Sequence, residues 1–151
     1  LKQRCLLYFT GQKRMARNIL RNVVSGYLAR DPQVLQTVRD LKASAVEAKE
    51  ALDAQDIDGF ARGLARYWEL KKRIDPGSSN APIEALLRSV EAETQAALQP
   101  GAGGGGFIFL LAKSRAAAER IRRRFEAAPP NAHARFFDFG VDQQGLKVTV
   151  L

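Results

Sequence analysis

Pro100-Gly101-Ala102-Gly103-Gly104-Gly105-Gly106 runs directly into Phe107-Ile108-Phe109-Leu110-Leu111. The second part is short, apolar and bounded by turn residues, which predicts a buried strand. The first part satisfies G-x-G-x-x-G literally. A dinucleotide fingerprint needs a strand before the glycines and a helix after them, so that the helix N-terminus meets the pyrophosphate. Here the preceding pattern is helical, with Ile83, Leu86, Leu87, Val90 and Thr94 on one face, and a strand follows. What remains is a backbone that can take positive φ and admit another group closely. One glycine would serve a tight turn. Five stand here, and surplus glycine costs chain entropy, which points to a functional loop.

Working outward, Arg4-Cys5-Leu6-Leu7-Tyr8-Phe9-Thr10 reads as a first buried strand, stopped by Gly11. From residue 12 the period changes. Met15, Ile19, Val23 and Tyr27 recur every fourth position, flanked by Ala16, Leu20, Val24 and Leu28, as on an amphipathic helix. Asp31-Pro32 ends it and opens a second helix, whose stripe is Val34, Val38, Leu41, Ala45, Ala48 and Leu52. A third helix, capped near Asp56, turns Ile57, Phe60, Leu64 and Trp68 inward. Asp75-Pro76-Gly77-Ser78-Ser79-Asn80 is a turn cluster before the fourth. After the glycines and their strand, residues 114–127 predict a basic helix with Ala118, Ile121 and Phe125 inward. Residues 134–139 and 146–150 predict two strands, joined in a hairpin through Asp142 and Gly145. The order is strand, four helices, strand, helix, strand, strand: an α+β domain with a four-stranded antiparallel sheet.

The 151 residues are 46% apolar and 26% charged. At this length a fold buries roughly 70% of its chain's surface, so one core can form without disulfides or metals. The lone Cys5 excludes an internal disulfide, and the strand around it makes it an inert buried thiol. The lone His133 excludes His-rich metal sites. No apolar run approaches the ~20 residues of a membrane span. The chain begins with Leu1 and shows no signal peptide, so we expect a fragment acting in the cytoplasm.

Net charge is +8, unevenly spread. Residues 1–30 hold seven basic and no acidic residues, whereas residues 31–60 hold three basic and seven acidic. Residues 113–124 hold six basic and one acidic. Such clustering suits an anionic partner or a solvated face equally. Arg14, Arg17 and Arg21 share a helical face just after Thr10 and Gly11, where a hydroxyl and an exposed amide suit an anion. A capping threonine beside solvated arginines accounts for them as well. Trp68 belongs to the core stripe, and Lys71, Lys72 and Arg73 complement the helix C-terminus. No carboxylate pair and no nucleophile with a base stands out.

Four segments stand in a telling order: Leu7-Tyr8-Phe9-Thr10-Gly11, Arg14-Met15-Ala16-Arg17-Asn18-Ile19-Leu20, Tyr67-Trp68-Glu69-Leu70-Lys71-Lys72-Arg73-Ile74-Asp75-Pro76-Gly77, and Gly101-Ala102-Gly103-Gly104-Gly105-Gly106-Phe107. Together they resemble the C-terminal half of GHMP-type sugar kinases over nearly the whole chain. The resemblance is greatest to the fucokinase type, including bifunctional fucokinase/L-fucose-1-phosphate guanylyltransferases; heptose 7-phosphate kinases share the pattern. The resemblance implies a GHMP kinase C-terminal domain over residues 1–151, related to ferredoxin-like folds, with helices on a four-stranded antiparallel sheet. It implies ATP-dependent phosphorylation of a sugar's anomeric hydroxyl, most closely that of L-fucose.

ATP and Mg2+ would be held mainly by an N-terminal domain of the same polypeptide, which is absent here with its phosphate loop and catalytic acid. The chain alone would be inactive. Thr10, Gly11 and Arg14 would lie near sugar or phosphate, and Gly101, Gly103, Gly104, Gly105 and Gly106 would line the supporting loop. Many relatives place a lysine shortly before the glycines. Leu98 and Gln99 stand there in this chain, a departure from the family pattern that weakens the claim of a cation at that spot. The competing readings are a heptose kinase domain, a nucleic-acid-binding module supported only by charge, and a non-catalytic interaction domain. No membrane partner is expected.

Overall fold

A computed structural model of the chain describes residues 1–12, 17–101, 105–142, 144–145 and 147–149. A 3-10 turn at Lys2–Arg4 leads into β1 (Cys5–Phe9). Then come α1 (Arg17–Leu28), α2 (Pro32–Asp53), α3 (Ile57–Ile74) and α4 (Ala81–Ser89). β2 (Thr94–Leu98), β3 (Phe107–Ala112), α5 (Arg115–Ala127) and β4 (Arg135–Phe137) complete the order. The sheet runs β2-β3-β1-β4, antiparallel throughout, so the fold is the α+β arrangement expected. No helix among the described residues is long and apolar enough to cross a membrane.

The helix starts follow their caps. The Asp31 carboxylate accepts from the Gln33 and Val34 amides, that of Asp56 from Gly59, the Asn80 side chain from Ile83, and the Ser114 hydroxyl from Ala117. Each satisfies an amide that the helix cannot.

The pleat divides the core. Leu6 and Tyr8 of β1, with Ile108 and Leu110 of β3, join Trp68, Ile83, Leu87, Ile121 and Phe125 in one cluster. Cys5 and Leu111, on the alternate positions, join Ala61 and Ala96 in a second. Burial raises the Cys5 thiol above its ordinary pKa, in keeping with an inert thiol.

Three expectations need correction. The fourth helix ends at Ser89, and Thr94–Leu98 is a strand. Thr94-Gln95-Ala96-Ala97-Leu98 favours helix locally, but pairing with β3 overrides that preference. The glycine stretch therefore joins two strands of one sheet. Second, Lys147, Val148 and Thr149 form no strand, and Val148 is 81% exposed; Leu146 and Val150 lie outside the described residues. Alternation without a neighbouring strand to pair with gives no ladder. Third, Val24, Tyr27 and Leu28 of α1 are exposed rather than inward.

α2 also sits rotated from its expected stripe. Thr37 and Ser44 are buried, while Ala45 and Leu52 face solvent. The reason is close approach to α3. The Ser44 hydroxyl donates to the Gly63 carbonyl at 3.3 Å, and a Cβ on Gly63 would stand 3.1 Å from that of Ala48.

Candidate functional site: a pinned glycine loop

β2 and β3 deliver the two ends of the glycine loop to the same edge of the domain, beside the end of β1. The loop's exit is tied to β1. The Thr10 amide and hydroxyl both donate to the Gly106 carbonyl, each at 2.9 Å. The Gly106 amide donates back to the Gln12 carbonyl at 2.7 Å. The Thr10 hydroxyl also accepts from the Gln12 amide. Thr10 is fully buried, so these bonds satisfy a group that would otherwise be costly to bury.

Gly11 takes φ +75°, a left-handed conformation that side chains disfavour. It is also crowded by Asn131, whose Nδ2 donates to the Thr10 carbonyl at 2.8 Å. Asn131 belongs to the turn after α5 and accepts from the His133 amide. His133 thus serves that turn, ahead of β4.

The loop's entrance is tied to α3. Lys71 is 7% exposed, and its Nζ donates to the carbonyls of Gln99 and Gly101 at 2.6 Å each. The ammonium lies 5.5 Å from the Trp68 ring and 6.0 Å from that of Tyr67. Burial lowers its pKa from 10.5 to about 8. The buried Gln99 side chain donates to the Gly105 carbonyl and so links entrance to exit.

At Gly101 (φ +72°) and Gly106 (φ +82°) an added Cβ would meet nothing within 4 Å among the described residues. The two backbones face open space, so a second molecule can approach them closely.

Of the expected site residues, Thr10, Gly11, Gly101, Gly105 and Gly106 come together here. Arg14, Gly103 and Gly104 lie outside the described residues. Of the arginine face on the first helix, Arg21 is described and exposed. The basic run of α5 is partly committed: Arg122 lies over Phe136, and Arg124 reaches the Ser89 carbonyl and Glu93. Lys71, Gln99 and Asn131 were not foreseen. For Lys71 a signal existed: the inward stripe Ile57, Phe60, Leu64 and Trp68 continues by three residues onto it.

Residues 48–131, more than half of the chain, match the model of a family described as GHMP kinases C terminal. The chain belongs to that family. A GHMP kinase C-terminal domain of this sequence is 33% identical over 144 residues to L-fucokinase/L-fucose-1-P guanylyltransferase of Bacteroides fragilis. That alignment covers 95% of this chain and 15% of the relative. It is 33% identical over 112 residues to D-glycero-alpha-D-manno-heptose 7-phosphate kinase of Campylobacter jejuni, covering 74% of this chain and 32% of that one. Among solved structures, L. major mevalonate kinase in complex with R-mevalonate shares the fold. The TM-score is 0.75 at 20% identity, over 88% of this chain and 40% of that chain. The chain thus spans a minor part of the length of each.

Proposed function

We propose that this chain is the C-terminal domain of an ATP-dependent sugar-1-kinase acting on L-fucose, and that it is inactive by itself. The observation that carries this reading is the glycine loop: held at both ends, open at Gly101 and Gly106, and set in a chain similar to a fucokinase along 95% of its length.

The open loop backbone suits close approach of sugar or phosphate oxygens. ATP would supply the phosphoryl group. Among the described residues no three His, Cys, Asp or Glu side chains group to hold a metal, and Mg2+ would take one or two carboxylates beside the phosphates of ATP. The metal ligands, the main phosphate loop and the catalytic acid belong, in this reading, to an N-terminal domain of the same polypeptide. The role left to this chain is positioning. Thr10, Lys71, Gln99 and Asn131 fix the loop before substrate arrives, and the loop closes one wall of the site.

The test is a phosphoryl-transfer assay with ATP and L-fucose, heptose 7-phosphate, galactose or mannose. It is run on this chain and on the longest natural polypeptide containing it. Transfer to L-fucose by the long form alone is expected. Turnover by the 151-residue chain would refute the division of labour, and transfer to another sugar would replace the substrate.

A further inference from the structure

We infer that Lys71 is the positioning residue of the glycine loop, a buried cation that fixes the loop's entrance directly and its exit through Gln99. The relay is continuous. The Lys71 ammonium holds the Gln99 and Gly101 carbonyls, the Gln99 side chain holds the Gly105 carbonyl, and the next residue, Gly106, is bonded to Thr10 and Gln12.

The charge is isolated on every side. From β2 and the loop it meets carbonyls alone. On its own helix the nearest titratable groups are turned elsewhere. Lys72 pairs with Glu69 and approaches Glu84, and Tyr67 offers its ring face. Asp75 accepts from the Gly77 amide and from Asn22 of α1. α2 presents Ser44 and Ala48 toward α3. Among the described residues no carboxylate forms an ion pair with Lys71, and desolvation alone displaces its pKa, to about 8. A cation kept dry without a counter-ion among the described residues is an expensive arrangement, and here its hydrogen bonds go to the Gln99 and Gly101 carbonyls. A helix C-terminus would be complemented as well by an exposed lysine, so capping does not account for its burial.

The consequence for catalysis rests on the kinase reading, whereas the loop geometry does not. The test therefore has two arms. In this chain at pH 7, amide-exchange protection is compared at Thr10 and Gly106, which flank the loop, and at Ile108 and Leu110 in the core. Lys71→Met is expected to lower the flanking protection about tenfold, as loss of a bond to a charged group implies, with the core unchanged. Lys71→Arg, a permanent cation, is expected to keep it. Any other pattern overturns the inference.

In the long polypeptide, kcat/KM for ATP is expected to fall above pH about 8, as Lys71 loses its proton, and Lys71→Arg to remove that limb. A limb unchanged in Lys71→Arg overturns the catalytic consequence. A long form without any sugar kinase activity would instead refute the kinase reading and leave the first arm intact.

Discussion

Asn131 occupies the space that a side chain on Gly11 would need. A Cβ on Gly11 would lie 1.8 Å from the Asn131 Oδ1, well inside contact distance. The same Asn131 holds the carbonyl of Thr10, one residue earlier. A backbone that favours glycine and a space that leaves room for no side chain therefore coincide at the end of β1. Gly11→Ala is expected to cost at least about 2 kcal/mol, from backbone strain and overlap together. In Gly11→Ala/Asn131→Ala the overlap is gone and the strain remains. Urea denaturation of the four members of this cycle should give a coupling of the sign that relieves the first change. Additive losses would show that Asn131 is not the obstacle.

Gly106 makes a contrasting case. Its φ is also positive, but an added Cβ would meet none of the described residues within 4 Å. Gly106→Ala is expected to lose only about 1–2 kcal/mol, the strain of a left-handed alanine. In the long polypeptide the same methyl group would stand where, in the proposed function, sugar or phosphate oxygens approach. Sugar phosphorylation is expected to fall at least tenfold while the denaturation midpoint moves little. Full activity in a folded Gly106→Ala protein would remove the loop from the site.

Tyr8 carries a buried hydroxyl that finds no hydrogen-bond partner among the described residues, and burial raises its pKa. Its ring packs 4.7 Å from those of Phe125 and Phe136, centroid to centroid. Tyr8→Phe removes the polar atom and keeps the ring. The expected effect on stability is zero to about 1 kcal/mol in favour of the variant, because no bond is lost and a desolvation cost disappears. A loss above 1 kcal/mol in thermal or chemical unfolding would reveal a bond to ordered water.

Lys71 also links stability to pH. Its folded pKa, about 8, lies below the unfolded 10.5, so between these values the unfolded chain binds more protons. Unfolding free energy from this group must therefore rise with pH across that window and be flat below it. Cys5, Tyr8 and Tyr67 have raised pKa values and oppose the trend. The measurement is accordingly the difference between the native sequence and Lys71→Met, in urea at pH 6.5 and 10. The native sequence should gain on the variant by up to about 3 kcal/mol. A constant difference would mean that Lys71 titrates as an exposed lysine.

Helix starts were legible where one side chain a few residues away fixes them: Asp31 and Asp56 cap the second and third helices as expected, and Asn80 of the turn cluster caps the fourth. The central strands were legible because β1 and β3 are aromatic and branched. β2 was not, because Gln95, Ala96 and Ala97 become strand residues only when β3 lies beside them. The site divides in the same way. Glycine excess marked the loop, and the turn at Gly11 marked its neighbour. Of the side chains that hold the loop, Thr10 was marked by Gly11 beside it, Gln99 and Asn131 carried no local mark, and the place of Lys71 on the inward face of α3 was overshadowed by its nearness to the helix end.

The bond from Asn131 to Thr10 joins positions 121 apart, and that from Lys71 to Gly101 joins positions 30 apart. Seven consecutive residues spell the glycine stretch, but the bonds that hold its two ends reach back to α3 and to the end of β1. Bonds between positions so far apart form only after the intervening chain has closed on itself, at a cost in chain entropy. A product truncated in α5 would keep the glycine stretch with Lys71, Gln99 and Thr10, and would lose the Asn131 side chain that holds the Thr10 carbonyl.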